Sequence, residues 1–289
     1  MRSCLIAYIR PIMPRPSISM RSNAGIVFLV EADSSILCSF ASTLMSARTH
    51  IGTSGWHYRH WLGKFYPANL PASRMFEFYQ KYFDTVEVNN SFYRLPTPEA
   101  FAAWRNAAPF NFIFAVKGSR FLTHNKKLKE PEQALQNLLP RAEALGEKLG
   151  PFLFQLPPRW KVNVDRLESF LQSLPQYHQY AFEFREPSWN TPAVYEILRR
   201  HNAAYCIHEL AGFQTPIEVT ANFSYIRLHG PGGKYQGCYS GEALRLWTRR
   251  ILAWRTTLSS IYVYFDNDDC AYAARNALEL KEMVAQDRS

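Results

Sequence analysis

Residues 224–257 read SYIRLHGPGGKYQGCYSGEALRLWTRRILAWRTT and contain one complete strand, loop and helix. The first six residues are aromatic, β-branched or alternating, as a strand requires. A glycine-rich turn follows, Ser240 is placed to cap a helix, and residues 241–257 carry apolar residues at helical spacing. The same rhythm recurs on either side. Strand candidates are 50–54, 85–89, 112–117, 152–156, 180–184, 204–208, 224–229 and 261–266. Helix candidates are 72–83, 98–107, 131–149, 164–174, 191–200, 241–257 and 272–285, with Pro98 and Pro131 at first-turn positions. Only the connection 209–222 lacks a helical pattern. Eight strand–helix units in about 240 residues predict a single-domain (β/α)8 TIM barrel. A doubly wound open sheet would bring fewer strands and a G-x-G-x-x-G turn, and none opens a helix here.

The whole chain has 289 residues and 33.5 kDa, is 47% hydrophobic and 20% charged, and so excludes a mainly disordered protein. No uninterrupted apolar run reaches the length of a membrane span, so no membrane role is expected. Lys and Arg number 33 against 24 acids, a net +9 that favours anionic partners. Cys4, Cys38, Cys206, Cys238 and Cys270 are odd in number and never form a C-x-x-C pair. That excludes a disulfide framework or a thiolate zinc site and points to the cytoplasm. Residues 1–48 differ from the rest, with scattered arginines, three prolines and many serines. They read as a poorly ordered extension upstream of a start at Met45, and their composition also resembles a transit segment. The barrel domain is placed at 49–286.

In a TIM barrel the C-terminal strand ends face the functional mouth. Those positions here collect Glu87, Asn89, Lys117, Gln155, Glu183, Arg185, His208, Arg227, His229, Asp266 and Asn267. Because strand side chains alternate faces, Glu183 shares a side with Arg185, and Arg227 with His229. Several buried charges imply mutual pairing, a ligand, or both.

From about Thr49 to Met283 the chain resembles the YecE-like family, TIM-barrel proteins of bacteria and archaea grouped as a domain of unknown function. The resemblance rests on IGTSGWHYRHWLGKFYP (51–67), FDTVEVNNSFYRLP (83–96), FAVKGSRFLTH (114–124), KLGPFLFQLPP (148–158), YAFEFREPSW (180–189), YIRLHGPGGKYQGCYS (225–240) and VYFDND (263–268). It implies a barrel and a family-wide polar pocket, and supplies no reaction. The chain departs from the family pattern at Asn90, at Asp266-Asn267-Asp268 and near His208.

Several readings of the mouth stay open. In the first, a phosphorylated or otherwise anionic small molecule is held by Lys117, Arg185 and Arg227, with Lys234 in the glycine-rich loop and Asn89, Tyr93, Gln155 and Asn267 as further contacts. Glu183 or Glu87 then serves as general base and His229 as acid, if the ligand is turned over at all. In the second, Glu183, His208, His229 and Asp266 bind a divalent metal for hydrolysis or isomerisation, phosphodiester cleavage included. In the third, the barrel binds without catalysis, either a small ligand or a nucleic acid along residues 117–129, where basic residues interleave with Phe121 and His124. The plain alternative to all three is a salt-bridge network with no chemistry.

Overall fold

The computed structural model describes residues 47–286, so the extension expected over residues 1–48 lies, apart from Ala47 and Arg48, outside the described residues. Eight parallel strands form the barrel: β1 (Arg48–Thr53), β2 (Thr85–Val88), β3 (Ile113–Lys117), β4 (Leu149–Gln155), β5 (Tyr180–Glu183), β6 (Ala204–Leu210), β8 (Phe223–Leu228) and β9 (Ser260–Phe265). The short β7 (Phe213–Gln214) pairs antiparallel with β6. The hydrogen-bonded order is β1-β9-β8-β6-β5-β4-β3-β2. Helices α1 (Met75–Tyr79), α2 (Pro98–Ala107), α3 (Glu132–Ala142), α4 (Val164–Gln172), α5 (Pro192–Arg200), α6 (Gly241–Trp254) and α7 (Tyr272–Gln286) fill the connections. The expected (β/α)8 barrel is therefore the fold.

The ring closes between β1 and β2 by a lighter seam than elsewhere. A single parallel bridge joins Ser54 and Glu87, and Gly55 N–H donates to Glu87 O at 2.8 Å. Below it, the Tyr79 hydroxyl from α1 accepts from Thr53 N–H at 3.1 Å and donates to Thr85 O at 3.0 Å. One phenol thus spans the gap and satisfies a backbone group on each strand. The strands approach so closely that a Cβ on Gly52 would lie 2.4 Å from Thr85 O, which only glycine avoids.

Strand parity sorts the core into two shells. Ala115, Leu153, Ala181, Ala204, Cys206, Phe223, Tyr225, Tyr262 and Tyr264 pack inside the barrel. Their neighbours of opposite parity, such as Val116, Phe154, Phe182, Ile226 and Val263, pack outward with the helices. The interior tyrosines each find a polar partner: Tyr225 reaches Glu87, Tyr264 meets Thr85 Oγ1 at 2.8 Å, and Tyr262 donates to Gln179 at 3.0 Å.

The connection without a helical pattern contains no helix. β6 runs on to Leu210 and turns through Gly212 into β7, forming a small hairpin at the rim. The third helix is shorter than the expected 131–149, because Gly146 leaves helical geometry and a single-turn segment, Glu143–Lys148, leads directly into β4. Buried Lys148 there donates to Arg105 O (2.6 Å) and Ala108 O (2.7 Å), capping the end of α2. Thr97, Asn163, Thr191 and Ser240 accept from backbone amides at the starts of α2, α4, α5 and α6.

Candidate functional site

Two residues beyond the inner apolar layer, the same parity delivers charge. Lys117 follows Ala115, Glu183 follows Ala181, His208 follows Cys206, Arg227 follows Tyr225 and Asp266 follows Tyr264. Arg227 occupies the centre and is completely buried. Its Nη1 donates to Glu183 Oε2 at 2.6 Å, and its Nη2 meets Glu87 Oε1 at 2.7 Å and Asp266 Oδ2 at 3.0 Å. Nη2 also lies 2.9 Å from Ser54 Oγ. Three carboxylates from β2, β5 and the end of β9 thus converge on one guanidinium.

Each carboxylate has further partners. Glu87 accepts from Ser54 Oγ and, at 2.7 Å, from Tyr225 OH. Glu183 pairs with Arg185 Nε and lies 3.3 Å from His229 Nε2. His229 Nδ1 is 3.1 Å from Asp266 Oδ2, and Arg185 Nη2 is 2.9 Å from Nε2. Arg185 donates to Nε2, so the ring proton belongs on Nδ1, facing Asp266. Burial pushes the Glu183 and Asp266 carboxyls up, yet both end below the usual carboxylate range. For Glu183 the opposing pull comes from Arg185 and Arg227; for Asp266 it comes mainly from Arg227. Both acids are held ionised by the cations they enclose.

Three side chains around this core are less committed. Lys117 is 7% exposed; its Nζ sits 4.6 Å from the centroid of the Phe92 ring and has no hydrogen-bond acceptor among the described residues. Burial, then the field of Arg227, brings its pKa down to about 8. His208 is buried beside His229, ring centroids 6.0 Å apart, with Nδ1 unpartnered; burial lowers its pKa to about 3. His124 packs edge-on to Phe92 at 5.1 Å, and burial together with Arg120 and Lys117 lowers its pKa to about 4.

The sequence-derived candidates therefore divide. Glu87, Glu183, Arg185, Arg227, His229 and Asp266 form one network, with Lys117 and His208 against it. Asn89 and Gln155 are half-buried at strand ends. Tyr93 is 82% exposed, outside the network. Asn267 is not at the mouth: its parity is opposite to Asp266, and its side chain donates to Gly237 O and Asn276 Oδ1, tying the loop after β8 to α7. Lys234 is also outside, exposed and 5.7 Å from the ring of Tyr235. The glycine-rich loop spends its amides on itself and its supports: Gly230 N–H on Tyr239 OH, Gln236 N–H on Gly233 O, Gly237 N–H on Asp269.

Glu183, His208, His229 and Asp266 are not arranged as a ligand set. Among the described residues no three His, Cys, Asp or Glu groups are placed to hold a metal ion. The carboxylate oxygens face Arg185 and Arg227, whose charge repels a second cation. The basic run 117–129 is likewise broken up, since Lys117 is buried, Leu122, Thr123 and Leu128 pack inward, and Lys126 pairs with Glu130 at 2.8 Å.

Ser54, Tyr225 and Tyr235 belong to the site and escape sequence reasoning about chargeable groups. Tyr235 takes a positive φ of 63°, which brings its ring to 5.4 Å from His229. Two clefts lie elsewhere: one of about 440 Å³ is lined by Lys64, Phe65, Arg275 and Glu282, another of about 500 Å³ by Lys129, Arg166 and Ser169. Neither includes a residue of the network.

Fold and site together define a TIM-barrel protein with a buried network of three carboxylates, two arginines and a histidine at the C-terminal ends of its strands. The chain belongs to the DUF72 family, a protein family of unknown function, whose profile residues 50–289 match. It is 24% identical over 250 residues to the UPF0759 protein YecE of Escherichia coli K12, covering 78% of this chain and 88% of that one. It is equally identical over 269 residues to the UPF0759 protein YunF of Bacillus subtilis 168, covering 81% and 94%. A DUF72 family protein of Thermotoga maritima MSB8 superposes with a TM-score of 0.76 at 29% identity, over 82% of this chain and 99% of that one. One from Enterococcus faecalis V583 gives 0.69 at 20% identity, over 82% and 95%. The expected YecE-like resemblance is thereby met. No described helix is long and apolar enough to cross a membrane.

Proposed function

We propose that this barrel takes a small anionic ligand, a carboxylate or a phosphate, above the strand ends, with Lys117 and Arg185 as the cations that meet it. One observation carries the reading: Lys117 is 7% exposed as a residue, and its Nζ, over the Phe92 ring, makes no ion pair with a carboxylate of the network. Desolvating a cation that lacks an ion-pair partner is unfavourable, and an incoming anion recovers part of that loss. Arg227 has a different role. With three carboxylates on it, the guanidinium has nothing left for a ligand and acts as the keystone that positions Glu87, Glu183 and Asp266.

Asn89 and Gln155 supply neutral contacts at the rim. Proton transfer, if the ligand is turned over, falls to His229 and Glu183, while Glu87 is held by Ser54, Tyr225 and Arg227 and serves as a positioning residue. A metal-dependent reaction has no support from the donor set. The free thiols of Cys206, Cys238 and Cys270 fit a reducing compartment, and the cytoplasm is where we place this activity.

Titration calorimetry with inorganic phosphate and with malonate tests the reading. Binding by the wild type that weakens at least about tenfold in Lys117→Met supports it, that being the loss of roughly one charge-assisted hydrogen bond. A folded Lys117→Met protein that binds both anions as well as the wild type sinks it.

A second reading draws on the exposed rings of Tyr93 and Phe121, on neighbouring strand-end loops that also expose Arg94, Arg120, Lys127 and Lys129. Aromatic faces beside cations suit single-stranded nucleic acid. Oligonucleotide binding that steepens with falling salt and is lost in Tyr93→Ala/Phe121→Ala would favour it.

A further inference from the structure

We propose that Lys117 is a covalent handle: its Nζ forms an imine with the carbonyl carbon of a small oxo-acid whose carboxylate is met by Arg185. The inference rests on the anionic-ligand reading above and narrows it to ligands that carry both a carbonyl and an acid group.

Placement is the first argument. Lys117 ends β3 with the inward parity of Ala115, is 7% exposed, and carries its amine over the ring of Phe92 at the barrel mouth. The second is its lack of engagement. Every other buried cation of the site is tied to a carboxylate, and Lys148, the other buried lysine, donates to two carbonyls, whereas Lys117 Nζ meets only the face of Phe92. A lysine that is neither ion-paired nor hydrogen-bonded keeps its lone pair available once deprotonated. Burial and Arg227 favour that deprotonation, bringing the amine near pH 8, although Glu87, Glu183 and Asp266 pull the other way. At neutral pH the free-amine fraction is then a few hundred times, on the order of 10², that of an ordinary lysine.

The surroundings also suit the chemistry. Nζ adds to the carbonyl carbon, a C–N bond forms, and the C=O π pair moves to oxygen, which takes the proton lost by nitrogen to give a carbinolamine. The hydroxyl then leaves as water with a second proton from solvent, and the nitrogen lone pair closes the C=N bond of a protonated imine. Nothing is oxidised or reduced. The unprotonated ring of His124, edge-on to the same Phe92 ring that carries Lys117 Nζ, can serve as a proton relay. The carboxylates that repel a second anion near them favour the positive charge of the iminium.

Glyoxylate is the smallest probe with both groups. Wild-type protein is incubated with glyoxylate and limiting cyanoborohydride, and the carboxymethylated lysines are identified by peptide mass spectrometry. Lys117 is expected to label at least about tenfold faster than exposed Lys127, Lys129 and Lys234, with a rate that climbs between pH 7 and pH 9. Labelling of Lys117 no faster than of those surface lysines overturns the imine. Phosphate binding is measured on the same preparation and on Lys117→Arg. Anion binding without selective labelling discards the imine and keeps the anionic-ligand reading. Selective labelling without anion binding discards the reading beneath it and leaves an amine-reactive pocket for neutral carbonyls, contrary to the oxo-acid assignment.

Discussion

Arg227 and Glu87 meet at 2.7 Å, both with fully buried side chains, from β8 and β2 on different sides of the barrel. They are 140 residues apart in sequence, so the contact exists only when the ring is complete. The same guanidinium holds Glu183 from β5, and the mouth is in effect cross-braced by one side chain.

Removing that brace leaves Glu87 without a cation and takes one from Glu183 and from Asp266, which keep Arg185 and His229. Arg227→Met is expected to destabilise the protein by about 3–5 kcal/mol, the cost of an unpaired buried charge. Urea unfolding measures it. A Glu87→Gln variant should lose less, since the amide oxygen still accepts from Ser54 and Arg227 while its nitrogen can donate to the Tyr225 hydroxyl. Equal losses for the two would show that Arg227 is not the keystone.

The β1–β2 seam gives a second prediction. Tyr79→Phe deletes the one hydroxyl that serves both Thr53 N–H and Thr85 O. Leaving such buried groups unsatisfied costs about 1–3 kcal/mol. The opening is also local, so hydrogen exchange at the Thr53 amide should accelerate far more than exchange in the β8–β9 pair, whose ladder is complete. Uniform acceleration across the barrel would contradict a weak seam.

Strand parity made much of this site legible. Glu183 with Arg185, and Arg227 with His229, share the inner face because spacing by two residues dictates it. What parity does not supply is reach across the barrel. Tyr225 reads as one more aromatic in a strand and Tyr79 as one more on a helix, yet each hydroxyl ends on a polar group of another strand. Asn267 follows Asp266 directly and was therefore grouped with it, although adjacent strand residues face opposite ways. Composition also does not reveal that three amides of the glycine-rich loop around Lys234 are already bonded. The missing sixth helix, by contrast, was visible as a missing apolar stripe.

Acid sensitivity should begin with a histidine. His208 has a folded pKa of about 3 against an ordinary 6.5, so the unfolded chain takes up a proton that the folded one refuses. Its contribution is whole above pH 6.5 and is lost progressively as pH falls towards 3, at up to about 1.4 kcal/mol per pH unit. Buried His50 and half-exposed His124 are shifted the same way, the latter more weakly coupled through solvent. Glu183 and Asp266 add their loss only below the ordinary carboxylate range, because both are held ionised by arginine. Thermal unfolding followed from pH 7 to pH 4.5 should therefore slope downward in the wild type and visibly less in His208→Phe. An unchanged slope in that variant would place the acid sensitivity elsewhere.

Lys117 should behave in the opposite sense to Arg227. Its ammonium is desolvated, feels Arg227 as a like charge, and is compensated only by Phe92 and the more distant carboxylates. Methionine keeps the unbranched stem and its contact with Phe92 while removing the charge. Lys117→Met is thus expected to fold at least as stably as the wild type, within about 1 kcal/mol or better, while losing anion binding. Urea unfolding and phosphate calorimetry on the same sample measure the two quantities. A site kept for binding gives up stability in the empty protein, and Lys117→Met should recover it. If the variant instead loses about 3 kcal/mol or more, as Arg227→Met is expected to, Lys117 is a structural member of the network and its amine is committed to the fold.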